Sequence, residues 1–179
     1  VGGLLLLWSG WSPVPVIDRQ PTVAYAASLV THMGVSYSHY SDNYFAVVMP
    51  AGWIVSDGQS GITVSSPTGA ARYEYAYAYG GVVGTYTLSG LTRLAISTLQ
   101  LDGVRILQGP TTAQLGAGWS MQTTAVRGYR AGQTIDAVVR VQLVDDANGE
   151  AIVGEAMSAP ASQWRMYWPM LITIQKSLR

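Results

Sequence analysis

Between Tyr44 and Tyr79 the chain alternates short apolar runs with turn residues, a rhythm that strands satisfy and a helix does not. Phe45–Met49 is apolar and stops at Pro50-Ala51-Gly52, which joins the fixed φ of Pro to the freedom of Gly. Trp53–Ser56 resumes, residues 57–61 turn again, and Ile62–Ser66 makes a third strand. Pro67-Thr68-Gly69 precedes a longer strand, Ala71–Tyr79. There Tyr73, Tyr75, Tyr77 and Tyr79 share one face, and Arg72, Glu74, Ala76 and Ala78 share the other.

Downstream segments read as cover or extension for this run. Leu88, Leu91, Leu94, Ala95, Thr98 and Leu99 fall at spacings of three and four, so Thr87–Leu101 is predicted as a helix ended near Gly103. Val104–Gln108 is predicted as a strand stopped by a Gly109-Pro110 turn. Trp119–Val126 and Thr134–Val144 form a hairpin across Gly128–Gly132. The Asn148-Gly149 pair turns the chain into a returning strand, Glu150–Met157. The C-terminal stripe through Trp164, Tyr167, Trp168, Leu171 and Ile172 is helical. Pro169 is expected to break it and open a last helix through Ser177.

The N-terminal 43 residues read differently. Leu4, Leu5, Leu6, Leu7, Trp8 and Trp11 make an apolar arm too short to cross a bilayer, which needs about 20 residues. Two readings stay open: the remnant of a secretory signal, with Ala24-Tyr25-Ala26 as a small-x-small site, or an arm that packs on its own domain or a neighbour. Residues 12–22 are Pro-rich and extended, Val23–Met33 suits a short helix, and Gly34–Asn43 reads as a loop. The expected organisation is an extension over residues 1–43 and a domain over 44–179. The order of elements gives an α+β fold, an antiparallel β-sheet covered by helices.

Two stretches resemble the PsbP/Mog1-like superfamily. One is the opening pattern Phe45-Ala-Val-Val-Met-Pro50-Ala-Gly52-Trp53 followed by Gly61–Pro67. The other is the closing pattern Trp164, Tyr167-Trp168-Pro169, Leu171, Ile172, Ile174 and Ser177-Leu178. The likeness covers about residues 44–178, and residues 1–43 lie outside it. It implies an α/β/α sandwich whose members mostly work by binding. They include an extrinsic photosynthetic subunit, a regulator of a small nuclear GTPase, secretion-effector chaperones and surface lipoproteins. Both motifs are packing and turn devices, so no functional residue carries over, and the missing lipobox Cys departs from the lipoprotein branch.

Composition narrows the functional classes. Ten basic residues balance ten acidic ones and no basic stripe appears, which argues against nucleic acid as a partner. Charged residues are 11% of the chain and hydrophobic ones 49%, a mixture suited to surfaces that pack against something. Cysteine is absent, excluding disulfides, thiolate metal sites and a Cys nucleophile. His32 and His39 beside Asp42 read as surface residues. Asp145, Asp146, Asn148 and Glu150 read as a solvated hairpin tip without calcium-loop spacing. Glycines at 80, 81, 84, 116 and 118 lack the spacing of a phosphate loop, and no nucleophile elbow occurs.

No catalytic residue, metal or cofactor is therefore assigned. The candidate contact residues are the arm and Tyr73, Tyr75, Tyr77 and Tyr79. The tyrosines are either cross-strand packing beneath a helix or an exposed aromatic strip for a partner. The expected function is a non-catalytic binding or structural accessory subunit of a larger extracytoplasmic or membrane-associated assembly. Its partner is a protein, another copy or a membrane complex, and the arm would add a strand to an exposed sheet edge. The alternative is a soluble carrier or chaperone holding an apolar ligand or peptide in a pocket lined by Trp53, Trp119 or the tyrosines.

Overall fold

A computed structural model describes residues 31–32, 34–79, 86–146 and 149–179. Ten strands run in the order β1 (Thr31–His32), β2 (Val35–Ser41), β3 (Ala46–Pro50), β4 (Ile54–Gly58), β5 (Gly61–Ser65) and β6 (Arg72–Tyr79), then β7 (Asp102–Gly116), β8 (Trp119–Arg130), β9 (Gln133–Asp146) and β10 (Gly149–Pro160). Helix α1 (Leu88–Thr98) lies between β6 and β7. Helix α2 (Trp164–Ser177) follows a single 3-10 turn at Ala161–Gln163.

Seven strands make one antiparallel sheet, ordered β4-β5-β6-β10-β9-β8-β7, and β1-β2-β3 make a smaller one. Because side chains alternate along a strand, the large sheet has two different apolar faces. On one, Leu91, Ala95 and Leu99 of α1 pack on Ala78, Val126, Ala137, Val139, Val141, Ile152 and Ala156. On the other, Leu171 and Ile174 of α2 join Phe45, Val47 and Met49 of the smaller layer over Ile62, Val64, Tyr73, Met157 and Ala159. The molecule is thus an α+β sandwich with its sheet between helices. The small alanines under α1 let that helix approach closely, while the tyrosine face meets α2 and β3.

Local chemistry sets the boundaries. Thr87 caps α1, its hydroxyl accepting from the Gly90 N–H at 3.1 Å. The helix ends earlier than its apolar stripe suggests, because Gln100 takes a left-handed φ of 52°. The β8–β9 hairpin turns on Ala131 and Gly132, at φ 49° and 77°, a pair whose twist matches the flanking strands.

Three expectations are corrected. The loop expected at Gly34–Asn43 is strand β2, paired from Tyr37↔Pro50 to Ser41↔Ala46. Within it Tyr37 is buried, and Tyr40 packs partly buried against the α2-side core. The turn at Gly109-Pro110 does not end its strand. β7 continues to Gly116 and absorbs the pair as register shifts against β8. Gly109 is required there, since a Cβ would sit 2.7 Å from the Thr123 carbonyl oxygen. Finally, α2 runs unbroken through Pro169. Pro169 and Arg165, whose carbonyl loses its helical donor, are both exposed to water, and burial of Leu171 and Ile174 holds the helix down. The helix expected over Val23–Met33 falls largely outside the described residues, and Thr31–His32 pair with Val35–Ser36 as strand.

Candidate docking surface

The tyrosine stripe of β6 grades from core to solvent. Tyr73 is fully buried, and its hydroxyl donates to Glu155 Oε1 at 3.3 Å. Glu155 Oε2 also accepts from Gln175 Nε2 at 2.8 Å and Arg140 Nη1 at 3.2 Å, tying α2 to the sheet. Burial, with Glu155 second, pushes the Tyr73 phenol far above its ordinary value. Tyr75 is half-buried, its phenol pushed up to about 12 chiefly by burial, and its ring meets Phe45 edge-on at 6.1 Å. The Tyr77 hydroxyl donates to the Gln59 carbonyl at 2.7 Å. Tyr79 is 76% exposed and its ring stands 5.1 Å from that of Tyr77. The stripe therefore divides: Tyr73 is core packing, and Tyr79 is open to solvent.

Residues 1–30 lie outside the described residues, so the arm residues Leu4, Leu5, Leu6, Leu7, Trp8 and Trp11 have no described position. The two tryptophans expected to line a pocket are far apart in role. Trp53 is buried edge-on against Tyr167 at 6.1 Å, whereas Trp119 is 40% exposed at the start of β8. A cavity of about 310 Å³ opens elsewhere, between the Thr68–Ala70 turn and Arg130, Gln133 and Ile135. Its lining is mixed rather than aromatic, so it does not match the apolar carrier pocket.

His39 is exposed on β2. Among the described residues no three His, Asp or Glu side chains gather as metal ligands. Asp42 and Asp57 lie against each other. Asp42 accepts from the Tyr44 and Phe45 N–H groups, and Asp57 accepts from the Tyr40 hydroxyl at 2.7 Å. Asp57 is pushed up, by burial first and then by Asp42. The Tyr40–Asp57 bond fastens β2 to β4.

Among the described residues the β7 end of the sheet is left uncovered. A 12-residue strand spans about 40 Å and an 11-residue helix about 16 Å, so the β7–β8 hairpin extends beyond the cover of α1. Every residue of β7 except Ala113 is exposed. Six of the ten exposed large apolar side chains among the described residues sit on β7 and β8: Val104, Ile106, Leu107, Leu115, Trp119 and Tyr129. Only Asp102 and Arg105 carry charge along β7, and its outer edge bears no further strand among the described residues. The edge thus lacks the lysines that commonly guard such strands. Sequence reading missed this surface, because Gly109-Pro110 split the strand in two. The visible signal was a charge-poor stretch from 106 to 126 holding Ile106, Leu107, Leu115 and Trp119.

No family model matches the chain, and no curated protein matches it in sequence. Solved structures do resemble it. The Ran-binding protein Mog1p of Saccharomyces cerevisiae is 12% identical with a TM-score of 0.49, over 81% of this chain and 95% of that one. Cyanobacterial PsbP (CyanoP) of Synechocystis is 14% identical with a TM-score of 0.47, over 84% and 96%. LpqN of Mycobacterium tuberculosis, involved in cell envelope biogenesis, is 11% identical with a TM-score of 0.47, over 79% and 87%.

Proposed function

We propose that this protein is a non-catalytic accessory or structural subunit that acts by binding protein, within an extracytoplasmic or membrane-associated assembly. The observation that carries this reading is the uncovered β7 edge, with apolar side chains exposed along a strand that has few charges to keep it solvated. Binding surfaces of this kind use main-chain hydrogen bonds for affinity and flanking apolar side chains for selectivity. Tyr79 and the arm residues Leu4–Leu7, Trp8 and Trp11 are further contact candidates. No described helix is long and apolar enough to cross a membrane, so association with one would run through a partner or the arm.

The test is the native mass of the protein isolated from its source, with the N-terminal residue read from the same sample. A large complex that retains the arm is the expected result. A free monomer lacking the arm would overturn it.

A further inference from the structure

An edge strand with exposed main-chain groups accepts another strand, and this chain carries an apolar run able to supply one. Residues 4–8, Leu-Leu-Leu-Leu-Trp, contain no charge and no Pro, which suits a strand laid beside Val104, Ile106 and Leu107. Residues 1–30 precede the described fold, so 19 residues separate Trp11 from Thr31 and reach about 65 Å when extended. The sheet from β4 to β7 has six strand spacings, about 29 Å. Length therefore sets no limit, and placement decides where the arm goes.

The chain enters the fold at β1, next to β2, and Tyr40 of β2 bonds Asp57 of β4. β4 is the edge opposite β7 in the seven-stranded sheet. The point where the chain enters the described fold and the β7 edge thus lie on opposite sides of the molecule. Pro13, Pro15 and Pro21 in the link favour extension over doubling back across the sheet. We propose that the arm of one copy, through Leu4–Trp8, adds as a strand to the β7 edge of a second copy. This arrangement is head-to-tail, so each copy still offers a free β7 or a free arm to the next. It rests on the subunit reading above and names the partner as the chain itself.

The absence of cysteine makes the test direct, because each introduced thiol is the only one in its chain. Full-length chains carrying Leu6→Cys are mixed with chains carrying Ile106→Cys and treated with a short bis-maleimide. The expected product joins one chain of each kind, at twice the mass of either. It should fall at least tenfold when the acceptor also carries Leu107→Lys, with its circular dichroism unchanged. A chain holding both cysteines, diluted until copies no longer meet, reports pairing within one molecule.

A product found only in that diluted sample would overturn the exchange between copies. So would no product at all, or a dimer that survives deletion of residues 1–22, the sign of β7 pairing with β7. A large native complex that gives no such product would leave the accessory-subunit reading standing and remove this one.

Discussion

Glu74 sits on the α1 side of β6, buried, with its Oε2 lacking any partner. Burial pushes its carboxyl up to about 7, against opposing pulls from Arg72 and Arg130. Arg130 already donates to the Leu99 carbonyl at 2.8 Å, so its charge is only partly available. Between about 4.5 and 7 the folded state holds a proton that the unfolded state has released. Stability from this group is present below about 4.5 and lost as pH rises through about 7, by roughly 3 kcal/mol in all. Glu74→Gln should therefore flatten this part of the pH dependence and raise the urea midpoint at pH 8 more than at pH 5. Equal shifts at both pH values would show that the carboxyl ionises without cost. The tyrosines separate in the same way. Tyr73→Phe should cost about 1 kcal/mol through the lost bond to Glu155, while Tyr79→Ala, exposed at the strand end, should stay within about 0.5 kcal/mol. Thermal unfolding of the two variants side by side decides it.

At the scale of elements, Pro169 is an avoidable cost. A proline inside a helix removes one hydrogen bond and clashes with the preceding turn, about 3 kcal/mol in an isolated case. Here Arg165, whose carbonyl is freed, is exposed, and Thr173 Oγ1 donates to the Pro169 carbonyl at 2.9 Å. Pro169→Ala should stabilise by about 1–2 kcal/mol, part of the proline penalty being offset by its stiffening of the unfolded chain. An unchanged or lowered melting temperature would mean that the ring has packing value of its own. The same proline explains why the sequence misplaced a break: local propensity argued for one, and tertiary burial of Leu171 and Ile174 outweighed it. Strict alternation in β6 was readable because its two faces carry different side chains, alanines toward α1 and tyrosines toward α2, and the three-four spacing in α1 because one face of the helix is buried. β7 was not, because an edge strand exposed on both faces needs no period, and Gly109-Pro110 imitates a stop. The candidate site shared that fate, since β7 carries most of it. Packing of the tyrosines beneath a helix was one of the two readings, but which end is buried is decided by α2 and β3, which are not neighbours of β6 in sequence.

For the whole molecule, the decisive relation is that two cores share one sheet. β6 and β10 present Ala78, Ile152 and Ala156 to α1, and Tyr73, Met157 and Ala159 to α2, so neither layer can keep its packing when these strands separate. Leu91 and Leu171 are fully buried on opposite faces and have no shared partner in either core. Truncation of each to Ala removes comparable apolar volume and should cost about 2–5 kcal/mol. Since the two sites are separated by the sheet, their costs should add to within about 0.5 kcal/mol in the double variant. Cooperativity is a separate matter from additivity. Tryptophan fluorescence, to which Trp53, Trp164 and Trp168 of the α2 core contribute, and far-ultraviolet circular dichroism of the whole backbone should in Leu91→Ala still fall at one urea concentration. If the α1 face were an independent unit, the Leu91→Ala variant would lose helix signal first while Trp53 stayed buried. A single coincident transition would instead mean that the β6–β10 ladder transmits loss of one core to the other.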